Sequence, residues 1–180
     1  DRALVAGQLV DGRVAIRGDL ADWPFHDHAG YFVARGEVDG AVLDYHPQWP
    51  RAENIHGVAT FINDGMQVDA TSVTSMGNTV QSATATIADF GPLVLDLDVK
   101  GEGGAASLLA FLRATPIGRR YADQLKDLVV DGKASVGFKL TLPIKQVDAL
   151  TLDGSGELQA SKLEQLRYGQ HFSDASGKLR

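Results

Sequence analysis

Apolar and polar residues alternate along most of this chain in short runs. One run carries apolar residues at every second position: Leu93, Leu95, Leu97 and Val99. A second run repeats the pattern with Ala134, Val136, Phe138, Leu140 and Leu142. A period of two places successive side chains on opposite faces of a β-strand. We therefore predict two strands here, each with one continuous apolar face.

Glycine beside aspartate or asparagine separates these runs. The strongest turn signal is Asn63-Asp64-Gly65, and Met76-Gly77-Asn78 marks a second turn. Such residues adopt the positive φ angles of tight hairpins at low cost. Four further pairs repeat the signal: Asp11-Gly12, Asp39-Gly40, Asp131-Gly132 and Asp153-Gly154. The spacing predicts a meander of about nine to eleven antiparallel strands.

One stretch, from Gly104 to Val129, breaks this rhythm. Good helix-forming residues fill positions 105–113 without an interrupting glycine or proline. Thr115 fits an N-cap, with Pro116 in the first helical position. An apolar stripe then recurs every three or four residues at Ile117, Tyr121, Leu125 and Leu128. We predict two short helices, inserted at about 104–129, whose apolar side rests on the sheet.

Together these elements predict a mainly β fold, with a small α insertion. We expect a long antiparallel meander that forms a curved, groove-like sheet capped by two short helices, in a single β-rich module over residues 1–180. The run from Thr71 to Thr86 is too small and polar for the centre of a large sandwich core. Periodicity alone nevertheless leaves a two-sheet sandwich open as the alternative.

Composition narrows the classes of function. The chain has 180 residues, 23 acidic and 17 basic side chains, a formal net charge of −6 and no cysteine. Nucleic-acid binding requires clustered basic residues, and disulfides, thiolate nucleophiles and sulfur-ligated zinc require cysteine. No run approaches the roughly 20 apolar residues of a membrane helix. Because both ends look cut, we expect a module of a larger, repeat-built protein.

Residues with catalytic or ligand chemistry do not combine into a recognisable site. His26 and His28 offer two imidazoles, but a catalytic zinc needs a third ligand that the spacing does not identify. The glycine-rich segment 101–104 is not followed by the lysine that a phosphate-binding loop requires. Gly154-Ser155-Gly156 does not match the five-residue nucleophile elbow of hydrolases. We expect no enzyme activity, no metal and no cofactor.

Six aromatic residues fall within the first 50 positions: Trp23, Phe25, Tyr31, Phe32, Tyr45 and Trp49. Packing in the core or at an edge is the usual role of such residues. A sugar or lipid site is the alternative.

Short motifs along the chain carry a family resemblance. They come in the order Trp23-Pro24-Phe25, Gly30-Tyr31-Phe32, Leu43-Asp44-Tyr45, Trp49-Pro50 and Gly65-Met66, followed by Phe111 to Pro116 and Leu140 to Pro143. This series resembles the AsmA-like proteins of Gram-negative bacteria, and most closely their YhdP branch. The two later segments are similar to the helical insertion and return strand of that family.

The resemblance implies a very long periplasmic protein, anchored in the inner membrane and built from curved-sheet modules that stack into a hydrophobic groove. It implies a non-enzymatic segment that shields and conducts phospholipid between the inner and outer membranes and supports the outer-membrane barrier. The implied partners are phospholipid acyl chains, neighbouring modules of the same chain and envelope proteins, without nucleic acid. A scaffold for outer-membrane biogenesis and a carbohydrate-active β-repeat enzyme are the alternatives.

The apolar rows are the candidate lining of such a groove: Leu93, Leu95, Leu97, Val99, Val136, Phe138, Leu140 and Leu142. Each CH₂ group shielded from water is worth about 0.8 kcal/mol, so a continuous apolar trough lowers the cost of moving an acyl chain through water. The alternative is that these residues pack beneath the two helices as ordinary core.

Overall fold

The structure, a computed structural model, describes residues 4–23, 25, 29–44, 47–146 and 149–179. In these ranges the chain forms nine strands: β1 (Leu4–Arg17), β2 (Tyr31–Leu43), β3 (Ala52–Ile62), β4 (Gly65–Ser75), β5 (Asn78–Ile87), β6 (Val94–Gly104), β7 (Leu128–Pro143), β8 (Thr151–Gln165) and β9 (Gln170–Leu179). They pair in sequence order into one antiparallel sheet. The predicted meander and its strand number are confirmed.

Two of the predicted turns close hairpins. Ile62 pairs with Gly65 across the Asn63-Asp64 turn, and Asn63 adopts a φ of 48°. The positive φ that the sequence assigned to Asp64-Gly65 therefore belongs to Asn63. The second hairpin places Met76 and Gly77 at φ of 48° and 75° between β4 and β5, as a type I′ turn requires.

The other four Asp-Gly pairs lie inside strands, and the prediction of turns there was wrong. Three of them coincide with shifts in pairing register, within β1, β2 and β7. The left-handed residues at these shifts are Asp11, Gly40 and Gly132. A residue with positive φ can form a β-bulge, which bends a strand without ending it. Long strands with bulges replace the shorter strands that the glycine spacing indicated.

The helical insertion contains three short helices rather than two: α1 (Ala105–Ala114), α2 (Pro116–Arg120) and α3 (Ala122–Leu125). Thr115 caps α2 as predicted, since its Oγ1 accepts a hydrogen bond from the Gly118 N–H at 3.3 Å. The insertion ends well before Val129, because Leu128 already starts β7. The predicted apolar stripe is thereby broken, and Tyr121 is 49% exposed.

The helices cover one end of one sheet face. Residues Ala105 and Leu109 of α1 are buried against Val130 and Ala160, and half-buried apolar side chains surround them: Leu125, Leu128, Ala134, Leu158, Leu163 and Ala175. We call this set the helix-covered cluster. A second cluster, near the same end of the sheet, is formed by Ala41, Ile55, Ala70 and Val73 of β2 to β4, and Val80 and Ala83 of β5 pack against it.

Hydrogen bonds hold the β4–β5 hairpin against its surroundings at this end. Asn78 Nδ2 donates to the backbone carbonyl of Ser107 in α1 at 3.3 Å. Ser75 Oγ donates to the carbonyl of Arg51, in the connection between β2 and β3, at 2.7 Å. One hairpin thus fixes both a loop and a helix in place.

All nine strands of the described chain belong to one sheet, which excludes the two-sheet sandwich. Val99 and Leu140, on the apolar face, are nevertheless only 7% and 6% exposed. Neither belongs to a buried cluster with the helices. Side chains crowd together on the inside of a bend, and large twisted sheets curl. Burial without a covering layer therefore indicates a sheet that curves around its apolar face.

Candidate functional site

The two predicted apolar rows meet on one face of the sheet. In the antiparallel register of β6 and β7, Leu95 lies opposite Leu142, Leu97 opposite Leu140, and Val99 opposite Phe138. Directly opposed residues point to the same face with Cβ atoms about 5 Å apart. The sequence identified each row, and the register joins them into one surface, which we call the apolar rows.

The apolar face continues across strands that the sequence analysis did not select. Next to β6, β5 places Ile87, Ala85 and Ala83 opposite Leu95, Leu97 and Val99. The face then continues through β4 and β3 with these residues: Met66, Val68, Ala70, Phe61, Ala59 and Gly57. Small side chains concealed the alternation, although the period of two is present in each strand. A periodicity count that included alanine and glycine would have found it.

On the other side of β7, the face has fewer side chains. Leu152 of β8 lies opposite Leu140, but Gly154 and Gly156 lie opposite Phe138 and Val136. The predicted turn around Ser155 is thus a regular stretch of strand. A Cβ atom at Gly154 would approach the Phe138 Cβ to 3.3 Å, so any larger residue there would crowd Phe138.

The candidate lining is separate from the helix-covered cluster. None of the eight candidates occurs in either buried cluster that the described residues form. Most are half-buried, and only Val99 and Leu140 are buried. Leu93 lies outside the rows, since it precedes β6 with a left-handed φ of 56°. Its N–H donates to the Asp89 carbonyl at 3.2 Å in a turn.

The opposite face of the same strands is polar and linked by side-chain pairs. Lys139 lies 3.3 Å from Asp98, and Thr141 Oγ1 donates to Asp96 at 2.6 Å. Thr84 Oγ1 donates to Asp69 at 3.0 Å, two strands away from β7. Exposed pairs of this kind contribute little stability. Because these polar side chains share one face, the sheet has a polar face and an apolar face.

Acidic and imidazole groups form no metal site in the described residues. His26, His28 and His46 lie outside those residues. A polar cluster joins β8 and β9, where Glu164 lies 2.9 Å from Lys162 Nζ and 2.8 Å from His171 Nδ1. Hydrogen bonds from Lys162, and then from His171, hold the pKa of the Glu164 carboxyl below its usual value.

The aromatic residues near the start of the chain pack on one another. The Trp23 ring meets the rings of Phe25 and Phe32 edge-on, at centroid distances of 5.8 and 4.7 Å. Phe25 is completely buried, beside Gly18 and Gly30. This arrangement favours packing at the sheet edge over a ligand site. Tyr45 lies outside the described residues.

The fold and its surface define a class of protein: over the described residues, a single antiparallel sheet with one apolar face that short helices partly cover. No helix among the described residues is long and apolar enough to cross a membrane. The family described as YhdP protein matches residues 1–180, and the chain belongs to that family.

One relative shows how the chain compares with a complete member. The chain is 25% identical, over 179 residues, to the Intermembrane phospholipid transporter YhdP of Escherichia coli (strain K12). The match covers 98% of this chain but only 14% of that protein, so the chain spans about one seventh of its relative. No solved structure matches the chain.

Proposed function

We propose that the apolar face shields phospholipid acyl chains from water, as one segment of a longer, non-enzymatic conduit. The observation that carries this proposal is the register of β6 and β7, which merges two apolar rows on a face that no second sheet of the described chain covers. The Escherichia coli relative is a phospholipid transporter, which supports the same class of ligand.

The physical basis is a surface of many weak, similar contacts. Each methylene group moved from water to the apolar face contributes about 0.8 kcal/mol. Neighbouring positions on the face differ little in chemistry, so an acyl chain can shift along it without leaving a deep minimum. The headgroup can remain in water on the open side. Conduction then needs no catalytic residue and no cofactor.

The proposed location is the periplasm, in a parent protein anchored in the inner membrane and reaching towards the outer membrane. The edge strands β1 and β9 each have one side that no strand of the described sheet pairs. Free edges invite pairing with another strand. We propose that neighbouring modules of the same chain extend the sheet there and make the groove continuous.

A structural scaffold is the second candidate, and the exposed surface of β1 favours it. Apolar side chains on both faces of this strand are exposed, including Leu9, Val10 and Val14. Such a surface fits contact with envelope proteins as well as with a neighbouring module. The two functions differ in one respect: a scaffold needs no acyl chain on the apolar rows.

Site-specific photo-crosslinking in the full-length protein tests the proposal. A crosslinking residue at Leu97 should capture phospholipid, identified by mass spectrometry, whereas one at Asp98 on the polar face should capture at least tenfold less. The two residues are neighbours in β6, and their side chains point to opposite faces of the sheet. Any difference in capture therefore reports the face.

A charged substitution sharpens the same experiment. Phe138→Asp should reduce lipid capture at Leu97 about tenfold, because a carboxylate beside the acyl chain is costly to desolvate. Lys139→Asp, one residue away on the polar face, is the matched control and should leave capture unchanged. Equal capture at Leu97 and Asp98 would support the scaffold instead.

A further inference from the structure

An open cavity of about 500 Å³ lies at the helix end of the sheet, away from the apolar rows. Its lining combines the β2–β3 connection, the tip of the β4–β5 hairpin and the chain from α1 into α2, and includes Gln48, Trp49, Pro50, Met76, Arg113 and Arg119. This volume falls in the range of about 300–1,000 Å³ that is usual for small-molecule sites. The Ser75 and Asn78 hydrogen bonds hold its three parts together.

The charge of this lining is opposite to that of the chain. Among the described lining residues, two are arginines and none is a carboxylate, although the chain carries a net charge of −6. The acidic residue of the neighbouring loop, Asp44, is already paired with Arg51 at 2.9 Å. An anion in the cavity would therefore meet uncompensated positive charge.

Arg113 is held in a fixed position by the backbone. Its Nη2 donates to the carbonyl oxygens of Leu125 and Leu128, where α3 ends and β7 begins. A guanidinium has five N–H donors on three nitrogens. These bonds use a single nitrogen, so the other two remain available to a ligand.

Arg119 is exposed on α2, where its backbone N–H donates to the Thr115 carbonyl at 3.2 Å. Its guanidinium forms no hydrogen bond or ion pair with any residue of the described chain. Several other basic side chains do have acidic partners, such as Lys126 with Asp123 and Lys139 with Asp98. Arginine binds phosphate oxygens through two parallel N–H donors. An unpaired arginine beside a fixed one suits a phosphate group.

We propose that this cavity binds the phosphate of a phospholipid headgroup or of a soluble phosphate ester, with Arg119 as the main contact and Arg113 as a second donor. Trp49, Pro50 and Met76 supply apolar surface for the glycerol portion. The headgroup version of this inference rests on the proposed function, in which the acyl chains occupy the apolar face of the same module.

Photo-crosslinking from Gln48, in the lining, tests the site in the full-length protein. Vesicles of phosphatidylglycerol provide the phosphate, and vesicles of digalactosyldiacylglycerol provide a bilayer lipid without phosphate. We expect about tenfold more capture of phosphatidylglycerol. Arg119→Gln should remove most of this preference, since hydrogen bonds to charged groups are worth about a factor of ten or more in affinity.

Arg120→Gln is the matched control. Arg120 is the next residue of α2, is exposed and is not part of the lining. This variant should keep the preference within twofold, and both variants should keep the wild-type melting temperature. Equal losses in the two variants, or equal capture of both lipids by the wild-type protein, would overturn the phosphate site.

Two further arms separate the remaining outcomes. If glycerol 3-phosphate abolishes capture at the same concentration as the lipid phosphate, the site binds a soluble phosphate ester, and the headgroup assignment is wrong. Capture from Leu97 reports the acyl-chain site independently. If the wild-type protein captures no lipid from Leu97, the proposed function is wrong. If it captures lipid from Leu97 but none from Gln48, only the phosphate site is wrong.

Discussion

Two regions of the same apolar face are buried in different ways. In the helix-covered cluster, a separate layer lies over the sheet, and Leu109 of that layer is only 9% exposed. In the apolar rows, Leu97 and Phe138 are half-buried, and neither belongs to the cluster that the helices cover. The covered region can contribute only stability, since a ligand would have to displace α1. The open region is where we propose that the acyl chain lies, and no helix would have to move for it to bind there.

The largest expected difference comes from replacing one leucine by alanine in each region and comparing the free energies of unfolding. We expect Leu109→Ala to lower the free energy of unfolding by about 2–4 kcal/mol, because it leaves a cavity between two layers. Leu97→Ala should cost only about 1 kcal/mol, since water already reaches that side chain. Urea unfolding followed by circular dichroism measures both. Equal costs would mean that the apolar rows are closed core.

Removing the N-cap of α2 should cause a smaller loss of stability in the covered region. Thr115 is almost completely buried, and its Oγ1 accepts from the Gly118 N–H and donates to the Leu112 carbonyl at 2.7 Å. Thr115→Ala should cost about 1–2 kcal/mol, as losing an N-cap does. Thr115→Ser keeps the hydroxyl and should retain most of the stability in thermal unfolding. An equal loss in both variants would show that the methyl group matters more than the cap.

The smallest expected effect concerns acid, at the β8–β9 edge. The pKa of Glu164 is lowered in the folded state, by Lys162 first and then by His171. Its ionised form therefore stabilises the fold above its usual pKa of 4.5, and this stabilisation is lost as the pH falls below that value. Glu164→Gln should consequently show a smaller drop in urea midpoint between about pH 7 and pH 3 than the wild-type protein.

Asp153→Asn is the control for this pH effect. Asp153 is an exposed carboxylate on the same strand, and no ion pair joins it to another described residue. Its substitution should leave the pH dependence of the midpoint unchanged. If Glu164→Gln and the wild-type protein lose stability equally, the contacts with Lys162 and His171 contribute nothing measurable.

The strands show how far the sequence could predict the fold. Period-two alternation located β6 and β7, and the hairpin at Asn63 was predicted from its residues alone. Four Asp-Gly pairs predicted turns that do not form, because the same positive φ serves a turn and a β-bulge equally well. Whether Gly132 reverses the chain or only bends it depends on the partner strand, about which the local sequence carries no information.

The helical insertion was predicted in part for a related reason. The N-cap at Thr115 is a local feature and was recognised, whereas the continuation of the stripe to Leu128 was wrong. Leu128 has the spacing of a helix but pairs with Gln165 at the start of β7. Tertiary pairing outweighs helix propensity, which amounts to less than about 1 kcal/mol per residue.

By itself, the sequence determined the apolar rows, the antiparallel meander and the acidic, cysteine-free character of the chain, because each depends on residue type and on local spacing. Only the tertiary structure decided which surfaces come together. Register placed Leu97 opposite Leu140 and extended the face through alanines, and the helices settled on Val130 and Ala160 instead of on the rows. It also brought Arg113 and Arg119 to one cavity with Trp49, a residue more than 60 positions away along the chain. Contacts over such separations depend on the packing of whole elements, which the pattern of neighbouring residues does not encode.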